Sequence, residues 1–178
     1  VRAVGADRPP HTHVVLELDD ADELWFIDPR RFGQFTVVAA GQLARRAELA
    51  ALGPDPFSDE FTVEFLRDRL RKRRAPMKSV VLDQKVFAGM GNIYVAEALY
   101  LARISPRRAA ARVKVAEVEA LHQATRTVLE LGIANRGTSI SDYVDANGDL
   151  GGNEAYLKVY GRAGQACERC GKLIVQIV

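Results

Sequence analysis

The chain has 178 residues, 48% of them hydrophobic and 27% charged, with a net charge of +2 at neutral pH. This is the composition of an ordinary globular protein of one large or two small domains. No apolar run reaches the ~20 residues of a membrane span, and no basic-then-apolar signal segment opens the chain.

In chain order, the first part is predicted to be β-rich. His13–Leu18 and Leu24–Ile27 are short β-prone runs separated by the acidic turn Asp19–Asp22, which together read as a hairpin. Phe35–Val38 is expected as a third strand. Two or three strands cannot close a core alone, so further strands are expected before Val1. His11 and His13, two apart, are expected on one strand face, either as surface residues or as phosphate ligands. Within Asp28-Pro29-Arg30-Arg31-Phe32-Gly33, Arg30 and Phe32 point the same way if the segment is extended. Such a pair is either a surface cation–π contact or a wedge that enters a base stack.

Gln42–Leu52 is predicted as a short helix, and Gly53-Pro54-Asp55-Pro56 as a domain boundary. Ser58 and Asp59 are candidate caps for a helix through about Arg74. Phe61/Phe65 and Leu66/Leu70 form i,i+4 pairs on its apolar side. Its end, Arg67–Arg74, carries six cations and one acid. That run is either a solvated face complementing the helix dipole or a phosphate-binding strip. Pro76 suits a first turn. Gly89-Met90-Gly91-Asn92 breaks the pattern before a helix over Ile93–Arg103. Asn92 is expected there as an N-cap, an anion ligand, or both. The stripe Val115, Val118, Leu121, Val128 and Leu131 predicts a long helix capped by Gly132.

Ser139–Val144 could add one short helix, and the polar, glycine-rich 145–153 stretch reads as a loop. Ala155–Tyr160 alternates like a strand and leads through Gly161-Arg162-Ala163-Gly164 into Cys167-Glu168-Arg169-Cys170. These are the only cysteines, and they fit a reducing cytoplasm better than a secreted disulfide scaffold. The pair reads as half of a zinc ribbon, with a redox motif or inert thiols as alternatives. Four ligands are needed and two are present, so the chain is expected to be a piece of a larger protein.

Three ordered motifs, Asp-Pro-Arg-Arg-Phe-Gly, Gly-Met-Gly-Asn-Ile-Tyr-Val-Ala-Glu and Val-Tyr-Gly-Arg…Cys-x-x-Cys, resemble the bacterial formamidopyrimidine-DNA glycosylases over nearly the whole chain. The resemblance implies an α+β fold in three parts. Residues 1–52 would complete an N-terminal β-sandwich lobe, 53–150 would form a helix–two-turn–helix DNA-binding domain, and 151–178 would begin a C-terminal zinc-finger β-hairpin. It implies excision of oxidised purines from double-stranded DNA followed by Schiff-base lyase cleavage, in a monomeric, cytoplasmic enzyme that joins the nucleoid when bound to DNA. Base flipping is the physical reason for a wedge.

By position, the resemblance makes His11, Arg30, Arg73 and Tyr160 DNA contacts, Phe32 the intercalating ring and Asn92 a phosphate ligand. Residues 145–153 would be the loop over the flipped base, and Cys167 and Cys170 one half of a Zn2+ site. The family's nucleophilic proline, glutamate and lysine would lie before Val1, and its zinc-finger arginine after Val178. No catalytic residue is therefore expected within the 178 residues. The alternatives are an endonuclease VIII-like glycosylase for oxidised pyrimidines and a non-catalytic DNA-binding module. The Arg-Arg-Phe-Gly segment favours the purine branch.

Overall fold

The computed structural model describes residues 2–3, 5–19, 22–140, 143–145 and 147–177. The chain is α+β. A three-stranded antiparallel sheet of order β1-β3-β2 is made from β1 (Arg2–Ala3), β2 (Thr12–Glu17) and β3 (Asp22–Ile27). The predicted hairpin is β2 and β3, paired with Val15 opposite Trp25 and Leu16 opposite Leu24. Its turn residues Asp20 and Ala21 lie outside the described residues.

The third strand differs from expectation. β1 takes the second edge of β3, and Phe35–Val38 forms no ladder. The Phe35 ring instead packs on Phe26, centroids 6.0 Å apart. Leu16, Leu18, Leu24 and Ile27 are 39–43% exposed, so the sheet is covered incompletely. Gln42–Leu52 holds a 3-10 turn, Leu43–Arg45, and a single helical turn, α1 (Ala47–Ala50), with extended Arg46 between them.

The core belongs to the helices α2 (Val63–Leu70), α3 (Met77–Leu82), α4 (Asn92–Leu101) and α5 (Val115–Ala134). The first of these starts later than Ser58. Asp55 holds the preceding turn, accepting the N–H groups of Phe57 (2.7 Å) and Ser58 (2.9 Å), and the Thr62 hydroxyl caps α2 by accepting the Phe65 N–H. Phe61 therefore precedes the helix. It is buried against Phe87 and the His122 ring, each at 4.9 Å. Only Leu66 and Leu70 act as the expected buried pair. The helix ends before the basic run does, and 73–76 lies against 108–111, with an antiparallel bridge between Pro76 and Ala109.

In α5, Val118, Leu121, Thr125, Val128 and Gly132 line one buried face at helical spacing. Gly132 is inside the helix, not its cap. A Cβ there would come within 2.6 Å of Tyr94 Cε1, so glycine permits the close approach of α4 and α5. The left-handed cap is Arg136 (φ +58°). Its N–H donates to Ile133 O (3.0 Å), and the Gly137 N–H donates to Gly132 O (2.8 Å), the paired bonds of a Schellman ending. The described part of Ser139–Val144 is not helical; Ser141 and Asp142 lie outside the described residues. Residues 153–156 form a 3-10 turn in place of the expected strand.

Candidate nucleic-acid interface

The turn before α4 is built by one amide. Gln84 Oε1 accepts the Gly89 N–H (2.9 Å), and its Nε2 donates to Met90 O (2.8 Å) and Leu82 O (3.1 Å). Gly89 has φ +88°, which glycine adopts without strain. The cap residue of α4 is Gly91, and Asn92 is the first helical residue. The cap role expected for Asn92 is therefore filled by its neighbour. The Asn92 amide is exposed and has no hydrogen-bond partner among the described residues.

Asn92 opens onto a cavity of about 700 Å³ between α4 and the segments around Tyr160 and 174–177. Tyr160, Lys78, Arg103, Tyr100 and Arg169 also line it. Tyr160 reaches this wall because of Glu97. That carboxylate, 7% exposed, accepts the backbone N–H groups of Lys158 (2.8 Å), Val159 (2.9 Å) and Tyr160 (2.8 Å). Three successive N–H groups turned to one side chain cannot form a strand ladder, which is why Ala155–Tyr160 is not a strand. Sequence reasoning missed both Glu97 and Lys78. Lys78 is half-buried, and its ammonium donates to Ile177 O (3.2 Å). Its position in a first helical turn with no acidic neighbour was the available signal.

Arg30 and Phe32 sit together on a turn, not on an extended strand. Asp28 Oδ2 accepts the Gly33 N–H, and Arg31 takes φ +56°. The Gly33 N–H, joined by those of Arg31 and Arg30, holds the Asp28 carboxyl below its ordinary value. A Cβ on Gly33 would meet the Phe26 ring at 2.6 Å. The Phe32 ring is 83% exposed, with the Arg30 guanidinium 5.9 Å from its centroid. His11 and His13 do not share a strand face. His11 precedes β2 at φ +68° and is exposed, whereas the His13 ring contacts Asp28 O through Nε2 (3.1 Å).

Arg73 is half-buried and donates through Nη1 to Asp83 Oδ2 (2.9 Å). Its neighbours Lys72 and Arg74 are exposed. Arg73, His11, Arg30 and Phe32 do not line the cavity.

Cys167 and Cys170 stand at a tight reversal. The Cys167 N–H donates to Lys172 O and the Gly171 N–H to Cys167 O, both at 2.8 Å, with Gly171 at φ +71°. Backbone N–H groups of Arg169 and Cys170 pull the Cys167 thiol below its ordinary value, which suits a thiolate metal ligand. Arg169 fastens this reversal to α4. Its guanidinium lies 4.0 Å over the Tyr100 ring and donates to Tyr100 O (2.7 Å). Among the described residues no group of three or more potential ligands surrounds a metal position.

The family model "Formamidopyrimidine-DNA glycosylase H2TH domain" matches residues 52–144. A formamidopyrimidine-DNA glycosylase of Moorella thermoacetica is 47% identical over 94% of this chain and 61% of its own length. That of Sphingopyxis alaskensis is 46% identical over 99% of this chain and 65% of its own. Among solved structures, the MutM (Fpg) protein of Thermus thermophilus superposes with a TM-score of 0.89 at 37% identity, over 97% of this chain and 65% of that one. The Lactococcus lactis Fpg in complex with DNA containing an abasic site also gives 0.89, at 31% identity over 99% and 64%. The chain spans a little under two thirds of the length of these relatives. It belongs to the formamidopyrimidine-DNA glycosylase family.

Proposed function

We propose that the protein bearing this chain is a bifunctional base-excision repair enzyme. It removes oxidised purines from double-stranded DNA and cleaves the abasic strand through a Schiff base. The chain's own share is to hold the duplex. The observation that carries this reading is the cavity lined by Tyr160, Lys78 and Asn92, whose exposed amide in the first turn of α4 has no hydrogen-bond partner among the described residues. Neutral and cationic donors converging at a helix N-terminus suit a phosphate oxygen.

Arg30 and Phe32 are the wedge, with the ring in the base stack and the guanidinium toward the opposite strand. His11 and the outward side of Arg73 contact phosphates, the latter oriented by Asp83. Residues 1–52 are part of a β-sandwich lobe, 53–150 the helix–two-turn–helix domain and 151–178 the start of the zinc finger. Cys167 and Cys170 would hold one Zn2+ with two further ligands, and the ion would supply structural closure of that reversal. Among the described residues no helix is long and apolar enough to cross a membrane, and a monomeric enzyme of the cytoplasm is the reading we adopt.

The test is borohydride trapping of the protein bearing this chain on a duplex with a single 8-oxoguanine. A covalent protein–DNA adduct is expected. Its absence, with excision of oxidised pyrimidines retained, would move the protein to the endonuclease VIII-like branch. Binding without either activity would leave a DNA-binding module.

A further inference from the structure

Two segments distant in sequence lie side by side ahead of α3. The Met77 N–H donates to Arg108 O (2.8 Å) and the Lys78 N–H to Pro106 O (3.1 Å). The N–H groups of Ala110 and Ala111 donate to Ala75 O (3.0 Å) and Arg73 O (2.8 Å), and Pro76 and Ala109 form an antiparallel bridge. This pairing sets the cations of 71–74 beside those of 107–112.

Three of these cations are neutralised. Arg71 meets Asp68, Arg73 meets Asp83, and Arg108 meets Glu117. Lys72, Arg74, Arg107 and Arg112 are exposed, and no side-chain hydrogen bond or ion pair engages any of them among the described residues. The ridge also adjoins the cavity. Ser105 and Pro106 line it together with Asn92, Tyr160 and Lys78, and Arg107 is the next residue.

We propose that Lys72, Arg74, Arg107 and Arg112 form a second backbone-binding ridge, which grips the duplex flanking the strand held in the cavity. This rests on the DNA reading above and extends it to a surface drawn from two segments. A solvated charged face is the plain alternative, but four uncompensated cations on a hydrogen-bonded base stay concentrated at a cost in mutual repulsion that a polyanion removes. An acidic protein partner fits less well. Stable protein interfaces centre on buried apolar anchors, and of the large apolar side chains from residue 58 to 115 only Leu101 and Val115 are exposed among the described residues, too few to form one. The stretch from Pro106 to Arg112 reaches at most ~20 Å, so the ridge acts within about six base pairs of the cavity.

The test compares the protein bearing this chain, called the unaltered chain below, with its Lys72→Ala/Arg74→Ala/Arg107→Ala/Arg112→Ala variant. Fluorescence anisotropy is read across a salt series on abasic-analogue duplexes of about 8 and about 20 base pairs. The unaltered chain is expected to bind the long duplex more tightly. The variant is expected to lose ~10- to 100-fold on the long duplex, with a log–log salt slope shallower by about 3.6. On the short duplex it should stay within about twofold of the unaltered chain. An unchanged slope and affinity on the long duplex would overturn the ridge, and so would equal loss on both duplexes. Failure of the unaltered chain to bind either duplex would instead overturn the DNA reading itself. Should the quadruple variant not fold, the Arg74→Ala/Arg107→Ala pair carries the same test, with a slope change of about 2.

Discussion

The Glu97 carboxylate, halfway along α4, accepts the backbone N–H of Tyr160 at 2.8 Å. With the N–H groups of Lys158 and Val159 on the same two oxygens, one side chain fixes the segment that lines the cavity together with Asn92. The family motif around Asn92 and the one around Tyr160 are thus two halves of one structural unit.

Replacing Glu97 by Gln tests this. The amide keeps one acceptor oxygen and turns an NH2 donor toward backbone donors. Hydrogen bonds to a buried charged group contribute about 1.5–3 kcal/mol each, so Glu97→Gln should lower stability by about 2–4 kcal/mol. DNA affinity should fall about tenfold as Tyr160 loses its place, a change of about 1.4 kcal/mol. Thermal melts and anisotropy titrations check both. Wild-type values in each would mean that the segment is held by other contacts.

Acid stability gives a second check. The Lys85 N–H, and after it the Arg73 guanidinium, hold the Asp83 carboxyl below its ordinary value. The Lys114 N–H and then Arg108 do the same for Glu117. A carboxylate with a depressed folded-state value stabilises the fold fully above its unfolded value. That stability is lost as pH falls through the folded value. Stability should therefore be level from neutral pH down to the ordinary carboxylate range, near pH 4 to 4.5, and decline below it. Asp83→Asn and Glu117→Gln should each flatten that decline. The side chains are 34% and 27% exposed, so solvent screening limits each loss at neutral pH to under about 1 kcal/mol. Denaturant midpoints measured against pH would expose the error if the variants declined as steeply as the parent.

Gly132 separates two readings of one residue. At an exposed helix position, glycine to alanine stabilises by about 1 kcal/mol. Here the new methyl would meet the Tyr94 ring, whose hydroxyl lies 3.3 Å from Thr138 Oγ1. Gly132→Ala is expected to destabilise by about 1–3 kcal/mol. A rise in melting temperature would show that the two helices can move apart without loss.

The sequence made the paired strands, the long helix and the break at Gly89–Asn92 legible, because each rests on local periodicity or a local breaker. Asp55, whose backbone and carboxylate bonds take up the turn that Ser58 and Asp59 would otherwise begin as a helix, illustrates what was not legible. So does Phe35, whose ring finds Phe26 while its backbone finds no partner strand. In both cases a competing contact decides, and periodicity carries no record of it. Glu97 and Lys78 were hidden for the same reason. Their roles depend on segments more than 60 residues away along the chain.

Phe32 carries the sharpest expectation. A phenylalanine 83% exposed at the crest of a turn leaves apolar area in water that folding alone does not remove. The Arg30 guanidinium at 5.9 Å sits at the outer limit of a cation–π contact, so the ring's position is set by the turn. Asp28 and Gly33 make that turn rigid, so little ordering is needed before the ring meets a base stack. Unstacking a step costs a few kcal/mol, and a base stacked on an aromatic ring returns about 1–3 kcal/mol. Phe32→Ala should therefore lower the preference for an abasic-site duplex over an intact one by about that amount, while intact-duplex affinity stays within about twofold. A fluorescent base analogue next to the abasic site should change its emission when the parent binds and change it far less with the variant. Identical signals from both proteins would place the ring outside the stack and reduce Arg30 and Phe32 to a surface pair.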